Sequence, residues 1–185
     1  MLTDFEAYLL DMMRATDQVA AVLTSEGISR AELGAKAQRA VKTWQLDTPG
    51  RDAAIYQDAI GKAVSQRILS CDDTVPQFVG SICRLYRLPL WPKLLFQVNQ
   101  HPSGFAWGES FVQDLSAITL PAPTFIRPWD WVLEAIEQMA SKVDVLEHWN
   151  YEKDIRVVVS QGSEQSVYLA KFDLNLLQEW TALAP

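Results

Sequence analysis

Apolar residues recur along this chain mostly at spacings of three and four, and that periodicity predicts helices from the N-terminus onward. Thr3 followed by Glu6 has the form of a capping box, and Phe5, Leu9, Met12 or Met13, Thr16, Val19 or Ala20 and Leu23 then describe one helical stripe that should end near Gly27. Ser29 with Glu32 repeats the capping signature. Leu33, Ala37, Ala40 or Val41 and Trp44 follow it as a second helix, antiparallel to the first across a short connection. After Pro49, Ile55, Ala59 and Ala63 with Ile60, Val64 and Ile68 give a third helix a broad apolar face. The expectation is an N-terminal helical bundle.

Charge and proline at 71–76 interrupt the pattern and mark a candidate sub-boundary within what otherwise reads as a single compact domain, 1–185. Phe78, Val79, Ile82, Leu85 and Tyr86 suggest a fourth helix stopped by Pro89. Prolines at 89, 92, 102, 121, 123 and 128 then divide the middle into short pieces, with short helices expected at 93–98 and 109–118, the latter on Phe111, Leu115 and Ile118. Pro128 suits the first turn of a longer helix carrying Val132, Ile136, Met139, Val143 and Leu146 on one face, with Asp130 and Glu134 near its positive end. The period then changes. Residues 155–160 and 166–172 are rich in β-branched and aromatic types, and Gly162 lies in the polar connection between them, which predicts a β-hairpin. Leu174, Leu177 and Trp180 suggest a terminal helix. The fold class expected is therefore α+β, mainly α: the N-terminal helical bundle, short helices, then a C-terminal helix, β-hairpin, helix unit.

Composition changes the picture chiefly by exclusion. With 185 residues, 49% hydrophobic and 21% charged, the chain can bury a core and is not compositionally disordered. The net charge of −7 repels phosphate backbones and anionic headgroups, so neither a nucleic acid nor a membrane is expected as partner. Residues 1–10 lack the basic then apolar pattern of a signal peptide. Cys71 and Cys83, the two cysteines, are in no CxxC pair and read as reduced buried thiols, which suits a cytoplasmic location.

Candidate chemistry is sparse. Ser29-Arg-Ala-Glu-Leu33 resembles the start of the second helix of a λ-repressor-type helix-turn-helix, but the helix runs on through Lys36, Arg39 and Lys42 with no recognition helix behind a short turn, and a capping box accounts for Ser29 and Glu32. Gly108-Glu-Ser110 has the first half of a nucleophile elbow and Val112 where that motif needs glycine. Asp144, His148 and Glu152, spaced by four, would share one helical face as metal ligands, yet a histidine at a helix C-terminus is also favoured by the dipole. No catalytic residue, metal site or cofactor is assigned.

The feature that folding alone explains least is the aromatic and arginine stretch at 84–107. Arg84, Tyr86, Arg87, Trp91, Phe105 and Trp107 are of the types enriched at binding hot spots, and they are framed by prolines. The function expected is a non-enzymatic cytoplasmic protein-binding module of adaptor, chaperone or inhibitor type, with those six residues toward another protein. Homo-oligomers through the strand edges of the hairpin are compatible with it. The alternative is an enzyme or small-ligand protein with a pocket formed by the 99–110 loops and the C-terminal unit, using His101, Glu109 or His148.

Overall fold

The computed structural model describes residues 1–70, 74, 76–114, 121–161 and 164–183. By internal packing the chain divides into two units, Met1–Met12 with Ala20–Ser110 and Met13–Val19 with Phe111–Pro185. Each holds a four-stranded sheet, so the expected mainly helical fold with an N-terminal helical bundle is corrected to an α+β fold with two sheets.

In the first unit the helical signals that carry caps hold. Thr3 Oγ1 accepts from the Glu6 amide at 3.1 Å and the Glu6 carboxylate accepts from the Thr3 amide at 3.0 Å, opening α1 (Asp4–Met12). Ser29 and Glu32 make the same reciprocal pair at the start of α3 (Arg30–Trp44). The first stripe is interrupted: α2 is a separate helix, Thr16–Glu26, which ends where Gly27 takes φ +67°. α1 packs on α3, and Phe5, Leu9, Leu10, Leu33 and Ala40 are buried.

The third expected helix shrinks to α4 (Ile55–Ile60), which Gly61 stops at φ +94°. Ser65–Ile68 is instead β1, and the expected fourth helix is β2 (Ile82–Tyr86). The helix expected at 93–98 is β3 (Leu95–Gln100). Where the one at 109–118 was expected, β4 (Ala106–Val112) covers the start, and Leu115 and Ile118 lie outside the described residues. The physical reason is pairing. Ile82, Arg84 and Tyr86 stand opposite Gln100, Val98 and Phe96, and this long-range register sets the backbone where spacing alone suggested helix. The sheet order is β1-β2-β3-β4, and Phe96 meets Phe5 edge-on with centroids 5.6 Å apart. Cys83 is buried on β2, whereas Cys71 and most of the expected sub-boundary lie outside the described residues.

In the second unit the long helix expected from Val132 is only α5, Leu133–Met139. Lys142–Trp149 is β5, because Val143 and Val145 pair with Val157 and Ile155 of β6 (Glu152–Gln161) rather than continuing a helical face. The expected hairpin is present as β6 and β7 (Glu164–Asp173), and Gly162 lies outside the described residues. The expected terminal helix is β8 (Leu176–Leu183), joined to β7 through Leu174 and Asn175, both with positive φ. Two left-handed residues make the tight turn that suits the twist of a hairpin. The sheet runs β5-β6-β7-β8, and Ile136 and Leu133 of α5 bury against Ile155, Val157, Ala170 and Phe172. Its opposite face is held to Met13–Val19 by Arg14, whose Nε donates to Asp173 Oδ1 at 2.8 Å and whose Nη1 donates to Asp154 Oδ1 at 2.9 Å.

Candidate functional site

β5 is an end strand of its sheet, hydrogen-bonded to β6 on one side only. An end strand leaves alternate backbone N–H and C=O groups unpaired along its outer edge, and proteins usually blunt such edges with charge or a bulge. β5 carries both. Lys142 and Asp144 open it, and the register slips between Val145 and Glu147, so that Leu146 is extra to the pairing. Lys142, Asp144, Glu147 and Trp149 face one side, across from Val158, Arg156, Asp154 and Glu152. Val143, Val145 and His148 face the other, across from Val157, Ile155 and Lys153.

Side chains that a folded protein ordinarily hides are open here. Val145 and Leu146 are each 57% exposed, Trp149 is 75% exposed, and Tyr151 in the following turn is also exposed. The turn is fixed in place: Asn150 takes φ +55°, and the Tyr151 carbonyl accepts from the Leu174 amide at 2.9 Å. Asp144 accepts from Arg156 Nη2 at 2.7 Å and lies 3.0 Å from Lys142 Nζ. The Arg156 hydrogen bond, then that from Lys142, holds its carboxyl below the ordinary aspartate value. Among the described residues Glu147 has no hydrogen bond or ion pair. The edge therefore combines an anchored turn, three open apolar side chains and one uncompensated carboxylate. A free main-chain edge beside open apolar side chains is chemistry suited to binding.

The first unit holds a buried polar cluster of a different kind. Arg51 Nε donates to Tyr56 Oη at 2.8 Å, and both Tyr56 Oη and Arg51 Nη2 donate to Glu109 Oε1 on β4. Burial, then the Glu109 charge, pushes the Tyr56 phenol far above its ordinary value, against the pull of Arg51. Each group satisfies the others, so the cluster ties the loop before α4 to β4. An open groove of about 470 Å³ runs along α1 and α3, lined by Tyr8, Met12, Ala37 and Val41 with Asp11, Lys42 and Asp47.

The residues singled out from the sequence are dispersed. Tyr86 and Trp91 are 1% and 3% exposed and belong to the core of the first unit, which removes them from any surface. Arg84 donates to Gln100 Oε1, and Arg87 is exposed at the end of β2. Phe105 stacks on His101 at 4.6 Å and Trp107 stacks on Phe78 at 4.0 Å, with the indole N–H on Ser81 Oγ at 3.1 Å; their faces are used within the fold. His101 Nδ1 lies 2.7 Å from Ser103 Oγ in a tight turn, and Glu109 is bound as above. Gly108 and Ser110 lie inside β4, so the elbow geometry is not formed. Asp144 and His148 are on β5 and Glu152 on β6, with Asp144 and His148 on opposite faces, which corrects their expected common helical face. Among the described residues no group of three or more His, Cys, Asp or Glu is arranged to hold a metal ion.

In the sequence Val143 and Leu146 complete a three-and-four stripe with Val132, Ile136 and Met139, and this helical spacing masks Val145, Leu146 and Trp149 as strand residues. The signal that marks them as strand is Asn150 and Tyr151, a turn between two β-branched runs. The chain matches no family model, no curated protein and no solved structure. No helix among the described residues is long and apolar enough to cross a membrane.

Proposed function

We propose that this protein is a non-enzymatic binding module, of adaptor, chaperone or inhibitor type, that captures an extended segment of another protein along β5. The observation that supports it is the end strand whose Val145, Leu146 and Trp149 stay open to solvent while its turn is anchored. Adding a strand to a sheet edge supplies affinity through main-chain hydrogen bonds, and pockets or projections for alternate side chains supply choice. Tryptophan is the residue type that most often dominates such interfaces, because it buries about 150–250 Å² at little entropic cost. We put the surface on β5 rather than on the aromatic and arginine stretch because Tyr86 and Trp91 are buried. A cytoplasmic protein without nucleic-acid or lipid ligands fits the charge of −7.

The test is native mass spectrometry of the protein captured from its host, beside a Leu146→Ser, Trp149→Ser double variant. The expected result is a stoichiometric second polypeptide on the wild type, slowed amide exchange in β5 within that complex, and loss of the polypeptide from a variant that melts normally. Truncating a hot-spot tryptophan costs about 2 kcal/mol or more, roughly a 30-fold loss in affinity. The same polypeptide at the same stoichiometry on both proteins, or none on the wild type, overturns the proposal.

A further inference from the structure

Building on the strand-capture function, we infer that the occupant of β5 is a basic, extended segment of a different protein and not a second copy of this chain. The cation it brings sits across from Glu147, and its apolar residues lie against Val145, Leu146 and Trp149. The charges on the strand point this way. Asp144 is answered internally by Arg156 at 2.7 Å and Lys142 at 3.0 Å, so it asks nothing of a partner. Behind Glu147 in the register stands Asp154, already bound to Arg14 at 2.9 Å, and Glu152 lies 3.8 Å from the same guanidinium. That one cation is shared among Asp154, Glu152 and Asp173, which leaves Glu147 as the open negative charge on this end of the strand. An opposite charge directly across a strand pair is stabilising and a like charge is not.

Net charge sets the second copy aside. Two copies would each bring −7 to the contact and repel one another, whereas a basic segment is drawn by the same charge and carries lysine or arginine to the position that meets Glu147.

Two synthetic peptides decide it, both with valine on the face of Val145 and, on the face shared by Glu147 and Trp149, tyrosine beside one charged residue, which is lysine in one peptide and glutamate in the other. Calorimetric titration into the full-length protein should show the basic peptide binding at least tenfold more tightly than the acidic one, with slowed amide exchange in β5. Glu147→Lys should weaken the basic peptide about three- to tenfold and strengthen the acidic one by a similar factor, Glu147→Gln falling between, since each cross-strand charge pair is a modest term. Trp149→Ser should weaken both. Equal binding of the two peptides, binding of neither, a preference that Glu147→Lys leaves unchanged, or a dimer in sedimentation that Trp149→Ser dissolves overturns the inference. A protein captured through Trp149 but indifferent to Glu147→Lys would sink this inference alone, whereas a captured protein indifferent to Leu146 and Trp149 sinks the function itself.

Discussion

Replacing Arg14 by methionine keeps the aliphatic stem and removes the guanidinium that joins three segments of the second unit. The side chain gives up Nε to Asp173 Oδ1 at 2.8 Å, Nη1 to Asp154 Oδ1 at 2.9 Å and Nη2 to the Phe172 carbonyl at 2.8 Å. Asp173 is 0% exposed, so in the variant its carboxylate keeps only the Arg14 backbone amide, 2.9 Å from Oδ2. The two hydrogen bonds to carboxylates, at about 1.5–3 kcal/mol each, give a gross loss of roughly 3–6 kcal/mol before the bond to the Phe172 carbonyl is added. The Arg14 side chain is 31% exposed, so solvent screening favours the lower part of that range. Stranding a buried charge costs about 3–5 kcal/mol, and the two routes meet near 3–4 kcal/mol. Urea unfolding followed by circular dichroism at neutral pH measures it. The pH dependence carries a sign of its own. Burial already raises the Asp173 carboxyl above its ordinary 3.8, and the Arg14 amide and guanidinium pull it back. Without the guanidinium burial is less opposed and the folded value rises further. A carboxyl that holds its proton more tightly folded than unfolded destabilises the fold above its folded pKa, and that cost is relieved as pH falls through the folded value toward the unfolded one. The deficit of Arg14→Met must therefore shrink on acidification. A deficit under about 1 kcal/mol at neutral pH, or one that is unchanged or larger in mild acid, refutes the assignment of Arg14 as the counter-charge of Asp173.

Two further outcomes follow from the first unit. Tyr56→Phe removes the hydroxyl that links Arg51 Nε to Glu109 and should lower stability by about 1–3 kcal/mol in urea unfolding, with the Arg51–Glu109 pair left in place; a change below about 0.5 kcal/mol would show that the hydroxyl ties nothing. Thr3→Ala deletes the acceptor of the Glu6 amide at 3.1 Å and should cost about 1–2 kcal/mol. Proteolysis within α1, at unchanged susceptibility elsewhere, is its second readout, and equal cleavage rates would dismiss the cap.

What could be read in the sequence was what is encoded locally. Capping boxes at Thr3 and Ser29 and the stop at Gly27 specify α1, α3 and the end of α2 within a few residues, and no distant partner is needed. The β6–β7 hairpin was legible because its two runs are adjacent and β-branched. The break between α1 and α2 was not, since it is made from afar: the Arg14 amide goes to Asp173 instead of into a helical ladder. β1 to β3 failed for a related reason. Ile60, Val64 and Ile68 lie at helical spacing, yet Ile68 is paired with Ile82 and left open to solvent, so the spacing records no common buried face. Val143 and Leu146 deceived in the same manner, one facing the core of its sheet and the other standing in a bulge. The candidate site suffered accordingly, because an exposed strand edge differs from a helix face by its pairing and not by its residue types.

The interleaving of the two units imposes an order on synthesis. Residues 13–19 leave the ribosome well before the strands they meet, since 159 positions separate Arg14 from Asp173 and 140 separate it from Asp154. At about 5–20 residues per second that interval lasts roughly 8–30 s. Throughout it a nascent chain can complete the unit containing 20–110, while the segment at 13–19 waits without any of the carboxylates it is made to meet. The second unit is thus finished only after its last strands emerge, and it is in that window, rather than in the mature protein, that the segment is exposed to holding factors and to mispairing.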